Sequence, residues 1–308
     1  MKIFSANGSK LSQLDFAQLL LSSAVALGSF SGMHIGHMAL IKEMHAHART
    51  HDLVSVVYMV NKSGKRTKKV PRFMIDGMLN EIKVDYVVVD DWQDIAHFSP
   101  EQFVYVRLQQ TLRCAAAFCG ENFRFGTQAA GDAAHLVELM GRIGGRGFVV
   151  PLVMLDGEVV SSTTIQRYLD ESRLDKAFAM LGRSISINGK VVHGAGRGRK
   201  LGFPTANIPY SRNRFCLIFG VYHTIAILSD GRELPAITHL GLRPTVNDDG
   251  EVISETHILD FNERIYGQKL SVHFLEFIRS EQKFESIDDL KSAVNRDIAA
   301  AKARNCLL

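Results

Sequence analysis

A glycine-rich and basic segment in the second half of the chain has the composition of a phosphate-binding loop. Glycines let the backbone approach a polyphosphate closely, and cations beside them neutralise its charge. The same composition is also typical of a flexible, solvated loop. The glycines are Gly189, Gly194, Gly196, Gly198 and Gly202, and the basic residues among them are His193, Arg197, Arg199 and Lys200.

The residues that follow this glycine-rich segment (residues 189–202) favour phosphate chemistry. Pro204 stiffens the backbone in front of Thr205 and Asn207, whose polar side chains fall on the same face of an extended strand. Their oxygen atoms suit a hard cation, and Mg²⁺ bridging the phosphate oxygens of ATP is the matching chemistry. The segment therefore predicts a site for magnesium and ATP.

Residues 193–207 read HGAGRGRKLGFPTAN and resemble, without interruption, the signature HGxxRGRxLGFPTAN of the bacterial riboflavin kinase family. The resemblance continues through blocks that begin at Gly220, Gly241, Glu255 and Tyr266, and it covers residues 183–303. It implies phosphorylation of riboflavin to FMN by ATP with Mg²⁺. The implied ATP-binding residues are His193, Gly194, Arg197, Gly198, Arg199, Thr205 and Asn207, of which Thr205 and Asn207 also serve the metal.

Glu255 opens the block ETHILDF, where the family has the general base that takes the proton from the ribityl 5'-hydroxyl. Phosphoryl transfer needs positioning, charge neutralisation and one carboxylate at the nucleophile. Without its motif, Glu255 would be interpreted as an exposed charge on a strand edge. Arg243, in the block GLRPT, is a candidate for binding the flavin phosphate, or it pairs with a neighbouring carboxylate.

The first half of the chain carries a second candidate phosphate site at His34 and His37. These histidines follow an apolar run that reaches Gly28, at the point where a helix should begin. They lie on one helical face, beside backbone N–H groups that favour an anion. The run HIGH resembles the HxGH motif of nucleotidyltransferases, which implies that both histidines stabilise an ATP triphosphate, with Gly28 and Gly36 near the phosphates. The alternative is a helix-capping pair without a ligand.

Three further blocks extend this second resemblance. They are GENFRFG at residues 120–126, GD at 131–132 and SST at 161–163. Together with HIGH they resemble the bacterial bifunctional riboflavin kinase/FMN adenylyltransferase family, also called FAD synthetase, which acts on riboflavin, FMN and ATP and makes FAD. The resemblance implies that Asn122 lies near a nucleotide or flavin phosphate. The run of Ser161, Ser162 and Thr163 would cap a helix and offer hydroxyls to phosphates.

Three positions depart from the family pattern. Ser31 stands where the family has an aspartate, Gln166 where it has an arginine, and residues 58–61 (YMVN) where it has the block FDPHP. Arg167 points about 100° away from Gln166 around a helix. Losing a cation that contacts phosphate can cost a few kcal/mol of transition-state stabilisation, so these changes could slow adenylyl transfer.

Three hypotheses for the first half follow from these departures. It is an FMN adenylyltransferase, a degenerate non-catalytic module that keeps nucleotide or flavin affinity, or a nucleotidyltransferase for another acceptor. A basic run after the second strand either supplies substitute contacts at the ligand-binding edge of the sheet or forms a solvated loop. The run consists of Lys62, Lys65, Arg66, Lys68 and Lys69.

The elements that must position these residues belong to two fold classes. Through the first half, apolar runs alternate with helical patterns, which predicts a doubly wound, Rossmann-like α/β domain with a parallel sheet. Helical patterns at residues 161–172 and 174–182 close it. Beyond Gly182, short β-type runs between turn residues predict an antiparallel β-barrel, and Ser286 begins a terminal helix. The predicted domains are 1–182 and 183–308.

The composition of the 308 residues, 46% hydrophobic and 22% charged, is typical of a folded protein. A formal charge of +4 suits small polyanions and falls short of a nucleic-acid-binding surface. Cys114, Cys119, Cys216 and Cys306 form no CxxC pair, so we expect reduced thiols. The apolar stretch at 19–30 is too short to span a bilayer. We predict a cytoplasmic protein with small-molecule partners, without nucleic acid or membrane, whose oligomeric state stays open.

Overall fold

The computed structural model describes residues 2–5, 22–30, 32–61, 80–194, 196–210, 215–243 and 251–305. It contains two compact units, Met1–Ser161 and Ser162–Leu308. The two helices that follow Ser161 are therefore grouped with the second unit, and the domains 1–182 and 183–308 remain a proposal. Ser31, the basic run at 62–69 and Cys306 lie outside the described residues.

The first unit is built on a parallel sheet. Its strands are β1 Lys2–Ser5, β2 Ser23–Gly28, β3 Val54–Asn61, β4 Tyr86–Asp91, β5 Cys114–Gly120 and, after two short strands, β8 Arg146–Val150. They form a six-stranded sheet in the order β1-β4-β3-β2-β5-β8, and every pair is parallel. The chain order reverses at β2, so the carboxyl ends of β2 and β5 border a switch point, where such folds bind ligands.

Helices and short strand pairs complete this unit. The short pairs are β6 Arg124–Phe125 with β7 Gly131–Asp132, and β9 Met154–Leu155 with β10 Glu158–Val159. The helices are α1 Ile35–Thr50, α2 Asn80–Ile82, α3 Trp92–Ile95, α4 Pro100–Gln102, a π-helix Phe103–Thr111, a 3-10 turn Thr127–Ala129 and α5 Ala133–Arg142.

Side chains of β2 alternate between two hydrophobic cores, as expected for a sheet covered on both faces. Val25 packs with residues of the π-helix and α5, such as Leu108 and Leu136. Ala24 packs on the opposite side with residues of α1, such as Ile41. The predicted doubly wound α/β architecture is therefore confirmed.

The second unit is built on an antiparallel sheet. Its strands are β11 Ser186–Lys190, β12 Ala206–Pro209, β13 Gly220–Ile227, β14 Glu233–Arg243, β15 Glu251–Ile258 and β16 Lys269–Ser280. They pair in the order β11-β16-β13-β14-β15-β12. A single bridge between Val192 and Asn207 joins the residues after β11 to β12, so the two edges of the sheet meet. This arrangement confirms the predicted antiparallel barrel.

The helices of the second unit are α6 Ser162–Asp170, α7 Leu174–Leu181, α8 Arg197–Leu201 and α9 Ile287–Asn305. The predicted cap of the terminal helix α9 is present, because the Ser286 hydroxyl accepts the backbone N–H of Asp289 at 3.1 Å. Ala301 of α9 packs against Val221 and Ile237 of the sheet. None of the helices in the described ranges has the length and apolar character needed to cross a membrane.

Candidate active sites

The turn between β2 and α1 uses backbone conformations that few side chains adopt. Phe30, Gly32 and Met33 have φ values of 45°, 95° and 41°, and burial of the Phe30 and Met33 side chains holds them there. A Cβ atom at Gly28 would lie 2.9 Å from the Phe30 ring. The turn therefore needs glycine at the strand end, and it delivers His34 to the N-cap of α1.

His34 and His37 hold each other across the first turn of α1. Their rings stack with centroids 3.6 Å apart, and each Nδ1 accepts the backbone N–H of the other residue, at 3.3 and 3.4 Å. Because Nδ1 is an acceptor in both rings, the proton of each neutral ring sits on Nε2. Gly36 makes room for this pair, since a Cβ atom there would lie 3.1 Å from His34 Nδ1, a tight contact. This histidine pair therefore caps the helix and carries N–H donors at Nε2.

The electrostatics of this helix start favour an anion. Burial, followed by the proximity of His34, lowers the pKa of His37 from 6.5 to about 3. His37 is therefore neutral near pH 7 and donates a hydrogen bond without a charge. The first turn of α1 contains no acidic residue, so its free N–H groups and the helix dipole meet a phosphate unopposed.

Asn122 lies just past the carboxyl end of β5, the strand that pairs with β2. The Phe123 N–H donates to the Gly120 carbonyl at 3.0 Å, and this tight turn leaves Asn122 exposed while Phe125 is buried. Carboxyl ends of neighbouring parallel strands lie at one edge of a sheet. Asn122 and the histidine pair therefore lie at the same edge of the sheet, and the phosphate contact of Asn122 stays a prediction.

A buried ion pair in the same unit was missed by the sequence analysis. Asp90 is fully buried; it accepts the Tyr58 hydroxyl at 2.7 Å and lies 2.7 Å from Arg107 Nε on the π-helix. Burial raises the pKa of Asp90 despite the opposing effects of Tyr58 and Arg107. Asn61 donates to Asp91 at 2.7 Å on the neighbouring strand ends. These residues are far apart in sequence, so no local pattern could reveal them.

Gln166, which stands in place of the family's arginine, is fully engaged within the second unit. Its side-chain amide accepts the Cys216 N–H at 3.2 Å and donates to the Cys216 carbonyl at 3.0 Å. It also donates to Asp170 at 2.8 Å. Ser162 and Thr163 lie in the first turn of the same helix, α6. Gln166 therefore fixes the chain before β13 to α6.

In the glycine-rich segment, the short helix α8 begins after Gly196 and ends before Gly202. These two glycines have φ values of 69° and 94°, in the left-handed region that favours glycine. Gly194 packs against the Asn207 side chain, since a Cβ there would lie 2.6 Å from Nδ2. Arg199 is exposed and, within the described part of the chain, has no ion-pair partner. The segment thus combines close backbone approach with an available cation.

Asn207 and Glu255 lie directly opposite each other on β12 and β15. Asn207 is 5% exposed, and its Nδ2 donates to the Thr205 carbonyl at 3.3 Å. This bond engages Nδ2 and leaves Asn207 Oδ1 as an acceptor. Glu255 is half-buried, and over the described ranges its carboxylate has neither a hydrogen-bond nor an ion-pair partner. The strand register therefore places a carboxylate without a partner in the described residues opposite the Asn207 side chain.

A cavity of about 220 Å³ is lined by Thr205 and by Ala206 and Thr256, the strand neighbours of Asn207 and Glu255. Since successive strand residues face opposite sides, Asn207 and Glu255 themselves are not among its lining residues. Tyr266 on its wall stacks on His193, with ring centroids 4.0 Å apart, so the start of the glycine-rich segment borders the cavity. Tyr266, Phe261 and Arg264 were not singled out from the sequence, because only the fold brings them to Thr205. The lining residues include Arg199, Thr205, Thr256, Phe261, Arg264 and Tyr266.

Two predicted site residues are described only through their backbone. Arg197 is the first residue of α8. Arg243 is the last residue of β14, opposite Glu251 of β15. Their predicted contacts with ATP and with the flavin phosphate remain predictions.

A parallel sheet with a histidine-capped helix start, followed by an antiparallel barrel with a glycine-rich basic segment, is typical of a nucleotide-handling protein. The FAD synthetase family model matches residues 17–164, and the riboflavin kinase family model matches residues 181–305. The chain belongs to the bifunctional riboflavin kinase/FMN adenylyltransferase family.

Relatives of that name match nearly the whole chain. The protein of Haemophilus influenzae is 32% identical over 298 residues, which cover 93% of this chain and 95% of the relative. The protein of Pseudomonas fluorescens is 33% identical over 90% of this chain and 91% of its own length. That of Escherichia coli K12 is 31% identical with the same coverage, 90% and 91%.

A solved structure described as a macrolide-efflux protein from Streptococcus pneumoniae has a similar fold. It superposes with a TM-score of 0.78 and 27% sequence identity, over 92% of this chain and 94% of that chain. Its description refers to efflux, which is said of that protein alone. The likeness therefore supports the fold of both units.

Proposed function

We propose that this chain phosphorylates riboflavin to FMN in its second unit and adenylylates FMN to FAD in its first unit. The observation that carries the proposal is the strand pairing of Glu255 with Asn207, which sets a carboxylate without a partner in the described residues opposite the Asn207 side chain. The names of relatives that share both halves of the chain support both activities.

In the kinase step, Glu255 takes the proton of the ribityl 5'-hydroxyl while that oxygen attacks the γ-phosphorus of ATP. The bond to the bridging oxygen breaks, ADP leaves, and the phosphoryl group ends on the flavin as FMN. Phosphate charge is met by Arg199 and by further residues of the glycine-rich segment. These are His193, Gly194, Arg197 and Gly198.

Thr205 and Asn207 are proposed to hold Mg²⁺ together with ATP. No cluster of His, Cys, Asp and Glu side chains in the described ranges could hold a metal ion by itself. Mg²⁺ is commonly held by one or two protein oxygens plus substrate phosphates and water, so Thr205 and Asn207 fit this requirement. When bound with ATP, the ion would screen the phosphate charge.

In the adenylyl step, the FMN phosphate attacks the α-phosphorus of ATP and pyrophosphate leaves. The histidine pair donates Nε2–H bonds to the phosphates, and the N–H groups around Gly36 add to them. Gly28 keeps the strand end clear for the nucleotide, and Asn122 is assigned to the flavin phosphate.

Further assignments rest on the family motifs. Ser162 and Thr163 are proposed to bind phosphate through hydroxyls at a helix start, and Arg243 to bind the flavin phosphate. The two activities are assigned to domains 1–182 and 183–308. We propose a cytoplasmic enzyme whose partners are riboflavin, FMN and ATP, without a nucleic-acid or membrane partner.

One observation favours a second candidate function for the first half, a nucleotide- or flavin-binding module without turnover. Gln166 replaces a cationic side chain, and its amide is already bound to Cys216. A module that lost this cation would keep the histidine pair and bind ATP while transferring AMP slowly.

Product analysis separates these candidates. Purified protein would be incubated with riboflavin, ATP and Mg²⁺, and FMN and FAD resolved by chromatography; the assay would then be repeated with FMN as the starting flavin. FMN and FAD are the expected products. Absence of FMN would overturn the kinase proposal, and FMN without FAD would favour the binding module.

A further inference from the structure

Strand register places a histidine next to the candidate base of the kinase. Glu255 of β15 lies opposite Asn207 of β12 on one side and opposite His239 of β14 on the other. Residues directly opposite each other in antiparallel strands project from the same face, with Cβ atoms about 5 Å apart. Asn207, Glu255 and His239 therefore form a polar row on one face of the sheet.

His239 is held in place by Glu281, which follows β16. Its Nε2 lies 2.9 Å from Glu281 Oε1. Since an ionised carboxylate only accepts hydrogen bonds, Nε2 carries the proton, and Nδ1 of the neutral ring is left as an acceptor. Nδ1 has no partner within the described residues. The Glu281–His239 pair thus orients an imidazole and leaves its second nitrogen available.

Gly241 makes room for this pair. A Cβ atom at Gly241 would lie 2.7 Å from His239 Cε1 and would collide with Glu281 Oε1. This collision gives a physical reason for glycine at the start of the block GLRPT, which the proposed reaction does not explain. With glycine at position 241, the two partly exposed side chains can meet directly over the backbone of β14.

The chemistry of the polar row suits a neutral chain of hydroxyls. Glu255 and His239 are register partners that each carry an acceptor, and no hydrogen bond joins them in the described structure. Carboxylates on both sides of His239, at Glu255 and Glu281, disfavour an anionic group beside it. A polyol can donate one hydroxyl to each acceptor, and the ribityl chain of riboflavin carries consecutive hydroxyls.

We propose that His239, oriented by Glu281, accepts a hydrogen bond from the ribityl 4'-hydroxyl, next to the 5'-hydroxyl that reacts at Glu255. This inference rests on the proposed kinase function and adds a flavin-binding residue to it. A bond made equally in the ground state and the transition state changes the KM for flavin and leaves kcat nearly unchanged.

The test compares riboflavin with 4'-deoxyriboflavin in the wild type and in His239→Ala. In the wild type, removal of the 4'-hydroxyl should raise the flavin KM about tenfold, a typical effect of one lost hydrogen bond. In His239→Ala the KM for riboflavin should rise by a similar factor, and the two flavins should become equivalent. The KM for ATP should not change.

Companion variants separate positioning from folding. Glu281→Ala should reproduce part of the effect, and the double variant should be no worse than His239→Ala alone, since both act on one interaction. His273→Ala, a β16 histidine bonded to Ser184, is the matched control and should behave as the wild type. If His239→Ala folds poorly, His239→Gln and the wild-type comparison of the two flavins still give the answer.

The outcomes distinguish this inference from the proposed function. Wild-type protein that makes no FMN would contradict the kinase proposal itself. Wild-type protein that makes FMN while His239→Ala keeps the same flavin KM, or still discriminates fully against 4'-deoxyriboflavin, would overturn the role of His239. The Glu281–His239 contact would then be a surface ion pair of little consequence.

Discussion

The two candidate sites differ in how far apart in sequence their residues lie. The histidine pair is fixed within one helical turn, by stacking and by mutual bonds between His34 and His37. The kinase site is fixed by register, because Asn207, Glu255 and His239 come from three different strands. A local site survives as a short motif even when its surroundings change, whereas a register-built site depends on the whole sheet.

Outside the histidine pair, the motifs of the first half depart from the family pattern at three places. Where the family pattern has aspartate, arginine and FDPHP, this chain has Ser31, Gln166 and residues 58–61. Of these, Gln166 binds Cys216, and Tyr58 belongs to the buried cluster with Asp90. Gln166 and Tyr58 thus make structural contacts at two of these places, and the predictions below test that difference.

The largest effect is expected from Glu255→Ala. Loss of the base should lower kcat for FMN formation by about 10² to 10⁴. Adenylylation measured with FMN as the starting flavin should be unchanged, because the first unit contains its own phosphate site. Separate initial rates for the two steps check this. Equal loss of both activities would mean that the two sites are not independent.

Arg107→Met tests the buried cluster of the first unit. Asp90 is fully buried, and Arg107 is its cationic partner at 2.7 Å. Removing one member of a buried pair leaves an uncompensated charge, so urea unfolding should show a loss of about 3 to 5 kcal/mol. Arg142→Met removes an exposed pair with Glu138 and should cost less than about 0.5 kcal/mol. Similar losses in both variants would contradict this account.

His37→Ala tests the histidine pair directly. The variant loses a neutral donor to the phosphates, so FAD formation from FMN should fall by about 10² to 10³, while FMN formation from riboflavin stays at the wild-type rate. His51→Ala, at the exposed end of α1, is the matched control. Normal FAD formation by His37→Ala would mean that the histidine pair only caps the helix and takes no part in adenylyl transfer.

Gln166→Ala tests whether this residue is structural. Its removal unpairs the Cys216 N–H and carbonyl, which should cost about 1 to 3 kcal/mol of stability. FAD formation should change less than about twofold, because the Gln166 amide is already hydrogen-bonded to the Cys216 backbone within the second unit. A large loss of FAD formation at unchanged stability would assign Gln166 to catalysis instead.

The smallest expected effect is a pH dependence of stability due to His37. Its folded-state pKa is lowered from 6.5 to about 3, so between these values the unfolded chain binds a proton that the folded chain does not. The contribution of His37 to the free energy of unfolding is therefore fully present above pH 6.5, and it is lost as the pH falls toward 3. Between pH 7 and 5 the wild type should lose on the order of 1 kcal/mol more than His37→Gln. Parallel urea titrations of both proteins would show it, and identical pH profiles would contradict it.

Much of the fold was predictable because its patterns are local. Alternating apolar runs and helical periods indicated the parallel sheet, and turn residues between short β-type runs indicated the barrel. The division after Ser161 was not predicted, since the contacts that group α6 and α7 with the barrel join distant residues. One of these is the bond between Gln166 and Cys216.

The sequence by itself determined the short-range parts of this protein. These are the glycines at left-handed turns, the histidine pair of one helical turn, and the glycine-rich segment leading to Thr205 and Asn207. Their chemistry is set by neighbours along the chain, so a motif is enough to find them.

Only the tertiary structure decided which distant side chains meet. It brought Arg107 to the buried Asp90, Tyr266 to His193, and His239 to Glu255 and Glu281. Strand register and helix packing depend on burial across the whole unit, and a one-residue slip would turn each of these strand residues to the other face. For that reason these contacts have no signature in the order of the residues.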